Sequence, residues 1–151
     1  MRNALVLVVL ALATTPGLAA TETQRPGRFA VTAMTQRLGG HPGLAWDKLH
    51  PAHQRLISRT NFIHCERTVH GSEWHLRGID YASTRALRID RRGVAQTHGW
   101  EVWMRVRATN GGPPFSDPVW VDVVRVGTKL RWLLDKGTEA QLRRHPADCW
   151  E

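Results

Sequence analysis

The chain has 151 residues, of which 21 are Lys or Arg and 13 are Asp or Glu, giving a formal net charge of +8 with histidine neutral. That length supplies one domain with its own hydrophobic core and excludes a second of similar size. The arginines are interleaved with acidic residues instead of forming a stripe, so the basic balance does not read as a nucleic-acid groove.

In chain order, residues 1–20 read as an export signal. Arg2 makes a positive start, residues 4–13 are uninterruptedly apolar, and Pro16-Gly17 leads to Ala19 and Ala20, small residues suited to cleavage after either. The apolar run is shorter than the roughly 20 residues of a bilayer-crossing helix, so no stable membrane span is expected and the mature protein is expected to be secreted or periplasmic. Residues 21–28, with Pro26-Gly27, read as a flexible lead-in to a single domain over 29–151.

Phe29, Ala30, Ala33, Met34, Arg37 and Leu38 recur at helical spacing, predicting an amphipathic helix that Gly39-Gly40 ends. Leu44, Trp46 and Leu49 predict a short helical turn. Pro51 starts another, with His50 as its cap and His53 exposed. Phe62 to Cys65 is expected to enter the sheet. Residues 69–79 are expected to be a strand with a bend at Gly71, residues 78–84 a connection, and residues 85–91 a strand with Leu87 and Ile89 on one face.

The strongest pattern follows. From Trp100 to Thr109, Trp100, Val102, Met104, Val106 and Ala108 alternate with Glu101, Trp103, Arg105, Arg107 and Thr109, the two-residue period of a strand. After a Gly-Gly-Pro-Pro break, Val119, Val121 and Val123 alternate with Trp120, Asp122, Val124 and Val126, and Gly127-Thr128 turns into residues 130–134. Residues 138–144 predict a terminal helical turn. Helices first and antiparallel strands after them is the order of an α+β domain.

Cys65 and Cys149 are the only cysteines. In an exported chain they read as a bridge that pins the C-terminal tail to the start of the sheet; the other reading is two free thiols. The eight histidines form no recognisable metal pattern. His50 and His53, with His64 and Glu66 near in sequence, are the closest approach to a metal or acid–base cluster, and neither a metal nor a cofactor is expected.

The segment Ala45-Trp46-Asp47-Lys48-Leu49-His50-Pro51-Ala52-His53-Gln54, then Phe62 and Cys65, then Arg131-Trp132-Leu133-Leu134, resembles small exported bacterial members of the nuclear-transport-factor-2-like superfamily. The resemblance implies a cone-like half-barrel, with helices closing one side of a curved sheet whose hollow lines a pocket. Such pockets serve isomerases, dehydratases, cyclases and non-catalytic binding domains. Catalytic branches place a tyrosine with aspartates, or an aspartate with histidine, in the pocket; here the only tyrosine, Tyr81, falls in a predicted connection.

Asp122 is the one carboxylate in its apolar strand. Buried, it is a candidate acid–base group in an isomerase-like pocket; on the outer face, it pairs with Arg105 or Arg107 across the hairpin. Of the seven tryptophans, Trp46, Trp100 and Trp132 fall on apolar faces, and Trp74, Trp103 and Trp120 on polar ones. Trp46, Trp100, Met104, Trp120 and Trp132 are the candidate ligand-binding residues. The expected function is a non-catalytic binding domain for a small apolar ligand or an envelope protein, with the sheet as a surface for a homodimer.

Overall fold

A computed structural model describes residues 18–145 and 149–150. The elements are α1 (Leu18–Leu38), α2 (Pro42–Trp46), α3 (Pro51–Gln54), α4 (Arg59–His70), β1 (Trp74–Arg91), β2 (Val94–Asn110), β3 (Phe115–Val126), β4 (Lys129–Trp132) and α5 (Lys136–Arg144). The strands form one antiparallel sheet of order β1-β2-β3-β4, so the α+β class and the meander expected from the alternation are present. The export-signal reading lies mostly on residues 1–17, outside the described residues.

Four local expectations are corrected. Helix α1 begins before Phe29, so helical backbone replaces the flexible lead-in at 21–28, with Pro26 inside the helix. Phe62 to Cys65 is helical: Ser58 caps α4 by accepting from the Asn61 N–H, and Phe62 and Cys65 are buried on one side of it. The apolar quartet is too short for its periodicity to separate a strand from a buried helical face. Val69 and His70 end that helix, and Gly71 takes φ 64° as its cap, a left-handed conformation that glycine adopts without a Cβ penalty. Residues 78–84 are not a connection but the middle of β1, which keeps pairing with β2 through register shifts between Leu76 and Gly78 and between Tyr81 and Ser83.

Both faces of the sheet carry a core. On the inner face, Val102, Met104, Val121 and Val123 pack against Ala30, Ala33 and Met34 of α1 and Phe62 of α4. Burial of each large aliphatic or aromatic side chain there contributes about 1.5–3 kcal/mol. Trp132 lies fully buried in the same core, its Nε1–H donating to the Ala45 carbonyl at 2.8 Å. On the outer face, a smaller cluster joins Ile89, Val94, Val124, Leu133 and Ala52 of α3.

The link between α2 and α3 passes the sheet edge. His50 N–H donates to the Trp132 carbonyl at 2.9 Å, and Trp132 N–H to Lys48 at 3.2 Å. This carries the chain from the inner core, where Leu49 is buried, to the outer one, where Ala52 is buried. Cys65 and Cys149 are bridged, their Cα atoms 4.9 Å apart. Because Cys65 is helical, the bridge pins the tail to α4 and not to the sheet. It seats Trp150 against Phe62, with ring centroids 5.5 Å apart.

Candidate functional site

Residues directly opposite one another in an antiparallel ladder project from the same face. Trp103 opposes Trp120 and Glu101 opposes Asp122, so β2 and β3 set these four side chains side by side on the outer face. Arg85 of β1 opposes Glu101 and extends the row. Since β4 pairs with β3 only over residues 123–126, the preceding half of β3 has an edge that no other strand among the described residues covers. A cleft of about 750 Å³ lies along it, walled by Trp120, Asp122, Glu101, Leu87, Arg91 and Met34 and by the crossing segment at 133–137.

Trp120 is the exposed aromatic of this cleft, at 54% of its accessible surface. Its ring leans on Trp103, with centroids 5.1 Å apart and planes inclined by 33°. Trp103 is fixed in turn, because its Nε1–H donates to Glu101 Oε1 at 2.8 Å, the oxygen that also accepts from Arg85. The platform is therefore held in place before any ligand arrives.

Behind the platform is a network of partly buried charge. Arg91 donates to Asp122 Oδ2 at 2.7 Å, to Glu139 Oε2 at 3.2 Å and to the Leu134 carbonyl at 3.2 Å, while Arg143 donates to Glu139 Oε1 at 2.8 Å. Two cations face two carboxylates, which offsets the desolvation of each. Asp122 thus lies on the outer face, and its partner is Arg91, not Arg105 or Arg107. The register explains this, since Arg105 stands opposite Pro118 and Arg107 opposite Ser116, and Arg107 pairs with Asp80.

His53, expected at the surface, is fully buried against this network. The short helix α3 turns it inward, where Nδ1 accepts the Leu134 N–H at 2.9 Å and Nε2 lies 3.5 Å from Glu139 Oε2. Burial pushes its pKa down to about 4; Glu139 opposes that shift, and His50, Arg91 and Arg143 add to it. His50 is the α3 cap, as expected, Nδ1 accepting the Ala52 N–H at 3.1 Å. Its pKa is lowered by burial and by the charges of Arg55 and Arg131.

Asp135 forms another part of the cleft and caps α5. Partial burial acts to raise its pKa, but hydrogen bonds from the Thr138 hydroxyl and N–H, with the Arg37 charge, hold it below the ordinary value.

The remaining candidates are dispersed. Trp132 and Met104 are core residues of the inner face. Trp46 is half-buried, with Nε1–H on the Ile57 carbonyl at 3.2 Å. Trp100 packs at the core margin beneath Arg125, 5.9 Å from its centroid. Of the five, Trp120 alone lines the cleft. Tyr81 is half-exposed on β1, its hydroxyl 3.1 Å from Thr84 Oγ1. No cluster of three or more metal-ligating side chains occurs among the described residues. Glu66 is buried between Arg37, at 2.8 Å, and His70, at 3.3 Å, while His64 is exposed.

Arg91 as the partner of Asp122, with Glu139 and His53 beyond it, was not legible in the sequence. They lie in different elements, and only the bare fact of a charge inside an apolar strand signalled that partners were needed. Comparison with protein-family models, curated protein sequences and solved structures yields no match.

Proposed function

We propose that this chain is an exported, non-catalytic binding domain of nuclear-transport-factor-2-like type, whose cleft beside β3 receives a small ligand through an apolar face. The observation that carries the reading is Trp120, an indole left open to solvent on a wall of the cleft and braced from behind by Trp103. An exposed aromatic with the half-buried Leu87 nearby offers apolar area, and convergent polar groups offer orientation.

Export is supported by the N-terminal pattern and by a disulfide of the kind that persists in oxidising compartments. No helix among the described residues is long and apolar enough to cross a membrane. The alternative, isomerase-like proton transfer by Asp122, asks for a carboxylate at liberty to take a proton. Oδ2 of Asp122 is committed to Arg91, so binding has the stronger support.

Titration with a series of linear alkanols, followed by tryptophan fluorescence and melting temperature, tests the site. Binding that quenches fluorescence and is lost in W120A is the expected result. Binding indifferent to W120A, or unchanged spectra and melting temperature with every alkanol and with neutral sugars alike, would remove the cleft from consideration. Elution at dimer mass, abolished by W120A, would assign the same aromatic face to a second copy instead.

A further inference from the structure

We infer that the ligand of this cleft is an uncharged saccharide, stacked by its carbon–hydrogen face on Trp120 and held by its hydroxyls on Glu101 and Asp122; the inference rests on the binding reading above and names the ligand class.

Three observations converge on it. The first is the platform: a half-exposed indole presents an electron-rich face, which attracts the slightly positive C–H groups on one side of a pyranose ring. Trp103 and its bond to Glu101 fix that face, so little ordering cost falls on binding.

The second is the acceptor pair. Glu101 and Asp122 stand directly opposite one another on adjacent strands, a juxtaposition of like charge that costs stability unless it is compensated. Arg85 and Arg91 compensate it, but each carboxylate uses one oxygen to do so: Glu101 Oε1 takes Arg85 and the Trp103 indole, and Asp122 Oδ2 takes Arg91. Glu101 Oε2 and Asp122 Oδ1 have no partner among the described residues. Two spare acceptors beside one aromatic face suit neighbouring hydroxyls of one sugar, whose O–H groups donate and whose ring stacks.

The third is charge. Four basic and four acidic side chains line the cleft. A lining without net charge gives neither a polyanion nor a polycation an electrostatic advantage, in spite of the basic balance of the whole chain. The cleft is also open along the strand edge, which suits a segment of a longer polymer. A purely apolar ligand would leave the two spare carboxylate oxygens desolvated and unpaired, at a cost that a hydroxylated one avoids.

Titration calorimetry with three neutral hexasaccharides, of β-1,4-linked glucose, N-acetylglucosamine and mannose, tests this on the full mature chain, with a hexamer of galacturonic acid and 1-octanol as comparisons. At least one neutral sugar is expected to bind. W120A and E101A should each weaken that binding roughly tenfold or more, while W120F, which keeps an aromatic face, retains most of it. Matching melting curves for W120F and the parent confirm that the fold is kept.

Binding of octanol without any of the sugars, lost in W120A, would overturn the saccharide inference and leave the binding site standing. Preference for the galacturonate hexamer would overturn the uncharged class. Silence from every probe would overturn both readings together.

Discussion

His53 shows how a single side chain ties the C-terminal segment to the sheet. Its Nδ1 accepts the Leu134 N–H, which leaves the proton of the neutral ring on Nε2, directed toward Glu139. A histidine held neutral, with a pKa of about 4 in the fold and 6.5 in the unfolded chain, makes unfolding take up a proton between those values. The contribution is complete above pH 6.5, declines as the pH falls toward 4, and changes no further below that. Its size over the window is on the order of 3 kcal/mol, and His50, shifted in the same direction, adds to it. Denaturant unfolding of H53Q, whose side-chain oxygen can still accept the Leu134 N–H, should therefore show a visibly flatter loss of stability from pH 6.5 to 4. Equal slopes for the two proteins would mean that His53 is not the group responsible.

At the scale of elements, β3 is the decisive one, because its two halves have different neighbours. Val123 and Val124 are paired on both sides, by β2 and β4; residues 115–121 are paired, among the described strands, by β2 alone. The Asp122 carbonyl points away from β2, accepting the Leu133 N–H at 2.9 Å, and Pro118, four residues earlier in an unbroken register, directs its backbone the same way. The missing proline N–H thus falls on the open edge, where it costs no bond within the sheet and removes a donor from any strand that might add there. P118V restores that donor beside an exposed tryptophan. Light scattering of the variant should show concentration-dependent self-association that the parent lacks; a variant that stays at the parent's mass would show that Pro118 does not guard the edge.

For the whole molecule, the bridge between Cys65 and Cys149 is the long-range restraint, closing the chain across a separation of 84 residues. Removing it should cost roughly 4 to 5 kcal/mol in the chain-entropy account. The C65A/C149A pair of substitutions also frees Trp150 from its place against Phe62 and beneath Arg37. Urea unfolding is expected to show the lower midpoint, and tryptophan emission to shift to longer wavelength as Trp150 meets water. An unchanged midpoint would leave the tail's packing, not its covalent tie, as what holds it.

The sequence by itself determined the strand faces of the meander. A two-residue period fixes which side chains of one strand share a face, so Val102 and Met104 were legible as one side of β2 with Trp103 on the other, and Val121 and Val123 as one side of β3 with Trp120 and Asp122 on the other; which sides of the two strands coincide was decided by their register. It also indicated the cap at His50, a matter of local geometry, and offered a bridge between the two cysteines as one of two readings, the one the structure bears out. It left α4 and β1 misplaced, because Phe62 to Cys65 is too short to show a period and the register shifts of β1 break the alternation that would have revealed it. Only the tertiary structure decided that His53 turns inward, that Asp122 meets Arg91, and that β4 stops short and leaves a cleft. Each of these depends on where residues tens of positions apart are brought together, and that is a property of packing which no local pattern encodes.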